Sequence, residues 1–244
     1  MQKLLGIKFW VTAFTGWLLG GIAFAVMVYS YLRESVRALL GGWSDRLIPA
    51  ADTAVPMLMG LVVLVVFNRQ VWCWACRRRV VGRILQRRVF PDLNGEWRVE
   101  LTSNFPRLDA MQAAARSVKA PRYDTRAFEA VPLSSPLVLR ARITQDWIDV
   151  RMELWSEDPA SRIERSVTTS FDLSRGPDGT PTVAYFYRQT NRAESLTGTS
   201  QESFDGAARL VVAEDGTSMS GLYLARGNWD SGLNTAGTIR FTRI

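Results

Sequence analysis

The sequence predicts an all-β soluble domain, an antiparallel barrel of about eight strands with one capping helix, preceded by two transmembrane α-helices. Three observations carry this. An uncharged 21-residue run stands near the N-terminus, and a second apolar run leads into an arginine cluster. From Pro91 onward, apolar and polar residues alternate between breaks of Gly, Asp, Asn and Ser. The chain divides accordingly into a membrane part at 1–89 and a barrel at 90–244.

The first run, Phe9 to Tyr29, carries no charge over 21 residues. A helix of that length spans a hydrocarbon core of roughly 30 Å. Lys3 and Lys8 precede it as they would in a signal peptide. The run is longer than a typical signal core, however, and Tyr29-Ser30-Tyr31-Leu32 is a poor cleavage site, so an uncleaved span over about 9–31 is expected. The second run, Ala54 to Phe67, has fourteen cleanly apolar residues and borrows from its flanks to give a span over about 50–75.

Six arginines follow between Arg77 and Arg88. The positive-inside rule keeps such a cluster in the cytoplasm, and two spans return the N-terminus to the same side. The expectation is a multi-pass bacterial inner-membrane protein with N- and C-termini cytoplasmic, its arginines against anionic membrane lipids. Trp72 and Trp74 fall where an interfacial aromatic belt would lie. Cys73-x-x-Cys76 has the spacing of a redox or metal pair, but it has no second pair and is read as structural.

Charge separates the two parts. Residues 1–89 carry 12 Lys/Arg against Glu34, Asp45 and Asp52, whereas 90–244 carry 18 against 20 Asp/Glu. The barrel is slightly acidic, so direct DNA or RNA binding is not expected, although its arginines leave room for a small anionic ligand. No histidine occurs anywhere, which removes Ser-His-Asp and Cys-His catalysis, the common zinc sites and imidazole acid–base chemistry. The expectation is a binding protein, with no cofactor and no enzymatic activity.

Strands are expected near Gly95–Asn104, Leu137–Thr144, Trp147–Ser156, Arg165–Leu173, Thr182–Gln189, Ala207–Val212, Met219–Ala225 and Gly237–Ile244. Short turns such as Gln145-Asp146 and Glu214-Asp215-Gly216 make them a meander, and closing a meander removes its edges. Trp97, Val99, Leu101 and Ser103 share one face of the first strand. Leu139, Ala141 and Ile143 face together on the second, as do Ile148, Val150, Met152 and Leu154 on the third. The stretch Leu108 to Lys119 has no Gly or Pro and is expected to form the helix that caps one mouth.

Gly95-Glu96-Trp97 opening a meander resembles the G-x-W entry of small lipocalin-like barrels. The layout adds two spans, an Arg-rich juncture, the run P-D-L-N-G-x-W, Ser103-Asn104, Tyr185-x-Tyr187 with Asn191, and Gly221-x-Tyr223-x-x-Arg226 before Gly237-Thr238-Ile239. Over essentially its full length the chain resembles the two-transmembrane, β-strand-rich effectors of bacterial CBASS anti-phage systems, with a minimal lipocalin-like barrel. The resemblance implies that the barrel binds a cyclic dinucleotide from a cognate nucleotidyltransferase. It further implies self-association on activation and membrane disruption that kills the infected cell. A membrane-tethered barrel holding a lipid, with Trp147, Phe171 and Phe186 as lining, and a scaffold for a protein partner are the competing readings.

Such a ligand needs flat rings for stacking, amides or hydroxyls for base edges, and guanidinium or hydroxyl donors for phosphate. Tyr185 and Tyr187 share a strand face and supply rings or phenols, or else belong to the core. Arg226 beside Asn228 suits a phosphate, or is a solvated rim arginine. Ser103 and Asn104 are singled out by the resemblance, although turn formation alone also explains them. Asn191, in a polar turn, completes the candidate ligand-binding set, and Trp97 is read as barrel floor.

Overall fold

Alternation along most of the strands from Gly95 to Arg243, interrupted by register shifts in the strand Ile163–Arg175, decides the architecture, because one apolar face per strand is buried most completely when the sheet closes on itself. The computed structural model describes residues 68–78, 90–119, 121–146, 149–196, 201–227 and 234–244, apart from the side chain of Arg69. Residues 229 and 232, together with single positions at 20–65 and 82–84, are also described. Helix α1 covers Arg69–Arg77, and its first turn is capped by the Asn68 side chain, which accepts from the Gln70 N–H at 2.8 Å. The strands are β1 (Gly95–Leu101), β2 (Leu137–Gln145), β3 (Val150–Trp155), β4 (Ile163–Arg175), β5 (Pro181–Asn191), β6 (Ser203–Val212), β7 (Ser218–Ala225) and β8 (Thr235–Arg243). Each pairs antiparallel with the next, and β8 returns to β1, giving a closed eight-stranded barrel.

Two expectations are corrected. Among the described residues no helix is long and apolar enough to cross a membrane, which overturns the two-span fold and, with it, the multi-pass inner-membrane placement with both termini cytoplasmic. Most positions of the expected spans at 9–31 and 50–75 lie outside the described residues. The end of the second expected span falls in α1, a nine-residue helix whose Trp72, Ala75 and Cys76 are buried. The helix after β1, here α2, runs Phe105–Arg116 rather than Leu108–Lys119. Pro106 is no obstacle at its start, since a first-turn residue has no intrahelical partner for its N–H. None of its residues is buried, and Phe105 at its start lines the barrel mouth.

One end of the barrel is filled. Phe90 and Leu93, from the segment before β1, sit with Trp97, Val99, Leu139, Ile143, Leu210, Met219 and Phe241 at 0–1 % exposure. The run P-D-L-N-G-x-W is the plug at this end. Asp92 accepts from the Asn94 N–H at 3.1 Å, turning the chain so that Leu93 points inward. Asn94 then clasps the end of β2, its Oδ1 accepting from the Gln145 N–H at 2.7 Å and its Nδ2 donating to the Gln145 carbonyl at 3.0 Å. Gly95, at φ 133°, opens the strand in a conformation other residues rarely adopt. The Trp97 indole donates to the Leu93 carbonyl at 3.0 Å, under the Arg243 guanidinium at 4.9 Å.

Candidate functional site

Up-and-down connection places the ends of β1, β3, β5 and β7 with the starts of β2, β4, β6 and β8 at the end opposite the plug. There the interior opens as a cleft of about 220 Å³. Its apolar wall includes Leu101, Leu137, Ile163 and Phe204, and Phe105 leans in from the first residue of α2. Its polar groups are Ser103, Arg162, Gln189, Tyr223 and Thr235.

Several of these groups are held from behind. A side-chain hydrogen bond joins Tyr223 to Ser103, while burial raises the Tyr223 phenol above its ordinary range and keeps it protonated. The Ser103 N–H donates to the Ser134 hydroxyl at 2.8 Å, tying the β1 end to the segment before β2. Gln189 Nε2 donates to Asn191 Oδ1 at 2.9 Å, and Asn191 in turn donates to the Gln201 carbonyl at 2.8 Å. Arg162 is positioned by Arg192, whose N–H donates to the Arg162 carbonyl at 2.9 Å and whose Nε donates to the Ser161 carbonyl at 3.1 Å. The Arg162 guanidinium has no carboxylate partner among the described residues, and burial lowers its pKa. A partly desolvated cation without a counter-charge is a natural anchor for an anion.

Beneath the cleft lie the two tyrosines of β5. Tyr185 stacks on Phe171 with ring centroids 5.8 Å apart and planes 12° apart. The Tyr187 hydroxyl donates to the Leu224 carbonyl at 3.3 Å. Burial raises both phenols well above their usual range, and each is raised further by a neighbouring tyrosine.

The sequence-derived candidates therefore separate. Ser103 lines the cleft, and Asn191 orients Gln189 from behind it. Tyr185 and Tyr187 are 5 % and 7 % exposed and belong to the interior below. Asn104 is engaged by β8, its Oδ1 accepting from the Ala236 N–H at 2.9 Å and its own N–H donating to the Ala236 carbonyl at 2.8 Å. Arg226 is exposed on the barrel's outside, 6.0 Å from the Trp229 ring. Asn228 lies outside the described residues, as does Trp147. Of the proposed lipid lining, Phe171 is half-buried against the core and Phe186 faces outward at 61 % exposure.

Arg162, Gln189, Phe204 and Thr235 were not anticipated. Gln189 was legible, since it continues the inward parity of Tyr185 and Tyr187. Arg162 was hidden because β4 was expected to begin at Arg165, whereas Ile163 is already inside the barrel at 7 % exposure. The cysteines take no part: both are free, and burial first, then Asp92 and Cys73, push the Cys76 thiol up to about 12, which leaves it unreactive.

No protein-family model matches the sequence, and no curated protein does. Among solved structures, zebrafish ileal bile acid-binding protein complexed with cholic acid matches at 12 % identity and a TM-score of 0.23, over 62 % of this chain and 96 % of that one. At that score the likeness carries no inference about what this chain binds.

Proposed function

We propose that the chain is a binding protein whose barrel captures a small anionic ligand with a flat ring at the open mouth, a nucleotide of the cyclic dinucleotide class being the reading the chemistry favours. The single observation behind it is Arg162, a partly desolvated guanidinium without a carboxylate partner among the described residues, in one cleft with Gln189, Ser103, Tyr223 and Phe204. Guanidinium suits phosphate, an amide and hydroxyls suit a base edge, and an aromatic ring suits a base face. At about 220 Å³ the cleft is below the roughly 300–1,000 Å³ of pockets that enclose a drug-sized ligand. One base and its phosphate enter, and the second half of the dinucleotide stays over the rim. The resemblance to effectors of cyclic-dinucleotide systems supports the same ligand class and a sensing role, with self-association following capture. Binding, rather than catalysis or a cofactor, is the chain's work in this reading.

A second reading is an apolar acid such as a long-chain fatty acid. It is favoured by Leu101, Leu137, Ile163 and Phe204 in the wall of the same cleft. The filled opposite end leaves no room for its chain to run the length of the barrel.

Calorimetric titration of the full chain with a panel of cyclic dinucleotides and with palmitate distinguishes the two. The expected result is saturable binding of one dinucleotide, weakened at least about tenfold by Arg162→Ala, as for loss of a charge-assisted phosphate contact. Sedimentation of the same samples reads self-association. Palmitate binding alone transfers the cleft to the second reading, and silence from every compound with a folded chain removes both.

A further inference from the structure

The outer surface of the barrel is divided by charge pairing. On the β1–β4 side arginines meet carboxylates across or along strands: Arg142 with Glu96 at 2.7 Å, Arg165 with Glu153 at 2.7 Å, Arg98 with Glu100 at 3.3 Å. On β6, β7 and β8 the pattern stops. The only carboxylate within these three strands, Asp205, is taken by Arg188 at 2.9 Å. Arg209, Arg226 and Arg240 have no ion-pair partner among the described residues.

Between these arginines stand large apolar side chains. Leu222 and Leu224 are 65 % and 63 % exposed, and Phe186 is 61 % exposed. Register fixes the pattern. Arg209 lies directly opposite Leu222, Arg240 between Ser220 of β7 and Glu100 of β1, and Leu224 is flanked by Ala207 on β6 and Ala236 on β8. Because those flanking residues are small, Leu224 stands as a ridge between two adjoining hollows of about 480 and 530 Å³ that share Ala207, Leu224 and Ala236. An exposed apolar patch rimmed by polar groups marks an interaction site.

The geometry points to a docking surface for an acidic amphipathic helix of a partner protein. A closed barrel offers no free edge, so a partner is not able to join it as an added strand and must be recognised through side chains. A helix presents apolar side chains three or four positions apart along one face, a row that can straddle a single leucine ridge. Carboxylates on its flanks meet Arg209, Arg240 and Arg226, which form no ion pair among the described residues, although Asp205 lies near Arg226 and Glu100 stands opposite Arg240. This surface lies outside the barrel and is independent of the mouth cleft.

The test uses the full chain, two fluorescent synthetic helices of equal length patterned Leu/Glu and Leu/Lys, and phosphatidylglycerol vesicles. Anisotropy is expected to show the Leu/Glu helix binding at least about tenfold more tightly than the Leu/Lys helix, with the preference falling as salt rises. The exposed pair Leu222→Ser with Leu224→Ser should weaken it at least about tenfold, and Arg209→Glu with Arg240→Glu should reverse the preference. Equal affinity for the two helices, no binding, or unchanged affinity in the leucine variant overturns the proposal. Binding of vesicles in place of the Leu/Glu helix also overturns it and assigns the patch to a lipid surface. Circular dichroism of each variant confirms that these exposed substitutions leave the fold in place.

Discussion

A methyl group at Gly206 would collide with the Tyr187 ring and stand 2.7 Å from the Leu224 carbonyl oxygen, so this glycine makes the space that the tyrosine fills. Gly206→Ala should therefore destabilise the chain by about 1–3 kcal/mol in urea denaturation, the usual cost of overpacking. In a Tyr187→Val background part of that cost should disappear with the ring, while the part due to the Leu224 carbonyl remains. The interior phenols make a second residue-scale prediction. Burial raises Tyr185, Tyr187 and Tyr223 in the folded state above the unfolded value of about 10. Their stabilising effect is thus fully present below about pH 10 and is lost as pH rises towards the folded values. Absorbance at 295 nm should show three of the six tyrosines resisting ionisation until the chain unfolds in alkali. Reversible ionisation of all six near pH 10 would place these phenols in solvent instead.

Two hairpin turns share one device at the scale of the element. Between β4 and β5, Asp178 accepts from the Thr180 hydroxyl at 2.5 Å and its N–H at 3.0 Å. Between β6 and β7, Asp215 accepts from the Thr217 N–H at 3.0 Å and hydroxyl at 2.8 Å. These bonds hold both carboxyls below their usual range, while Gly179 and Gly216 supply the positive φ that each turn requires, 83° and 67°. Carboxylates with depressed folded pKa values contribute stability above the unfolded value, roughly pH 4, and lose it as pH falls through the folded values. Replacing both aspartates with alanine should lower the urea midpoint at neutral pH and flatten its decline below about pH 4. An unchanged acid slope would show that other groups govern it.

For the whole molecule the decisive contact is the seam between β1 and β8, which joins residues about 140 positions apart, as in Val99 opposite Phe241. Phe241 is fully buried and meets Trp97 edge to face at 6.5 Å. Phe241→Ala should cost about 3–5 kcal/mol, seen by circular dichroism as one cooperative transition at lower denaturant. A split into two transitions would mean that β7 and β8 separate from a barrel that otherwise persists. Because the seam closes the longest loop in the fold, refolding is expected on the millisecond-to-second scale of non-local β-proteins.

The antiparallel barrel after Pro91 was legible in the sequence, because alternation is local and most strands declare their buried face within a few residues. The sequence also marked Trp97 as floor, whereas Ser103 was singled out by the resemblance alone and its place in the mouth comes from the fold. The sequence placed the helix three positions late, on the stretch free of Gly and Pro, and its two-span expectation did not survive. Apolar length is necessary for a membrane span but is not sufficient to show one. Only the tertiary structure decided which polar residues share the mouth. Arg162, Gln189 and Thr235 come from three different strand ends, and nothing in their local sequence records that closure brings them together. Tertiary structure alone likewise separated Arg226 from that cleft, since one step of strand parity moves a side chain from the inside of a barrel to the outside.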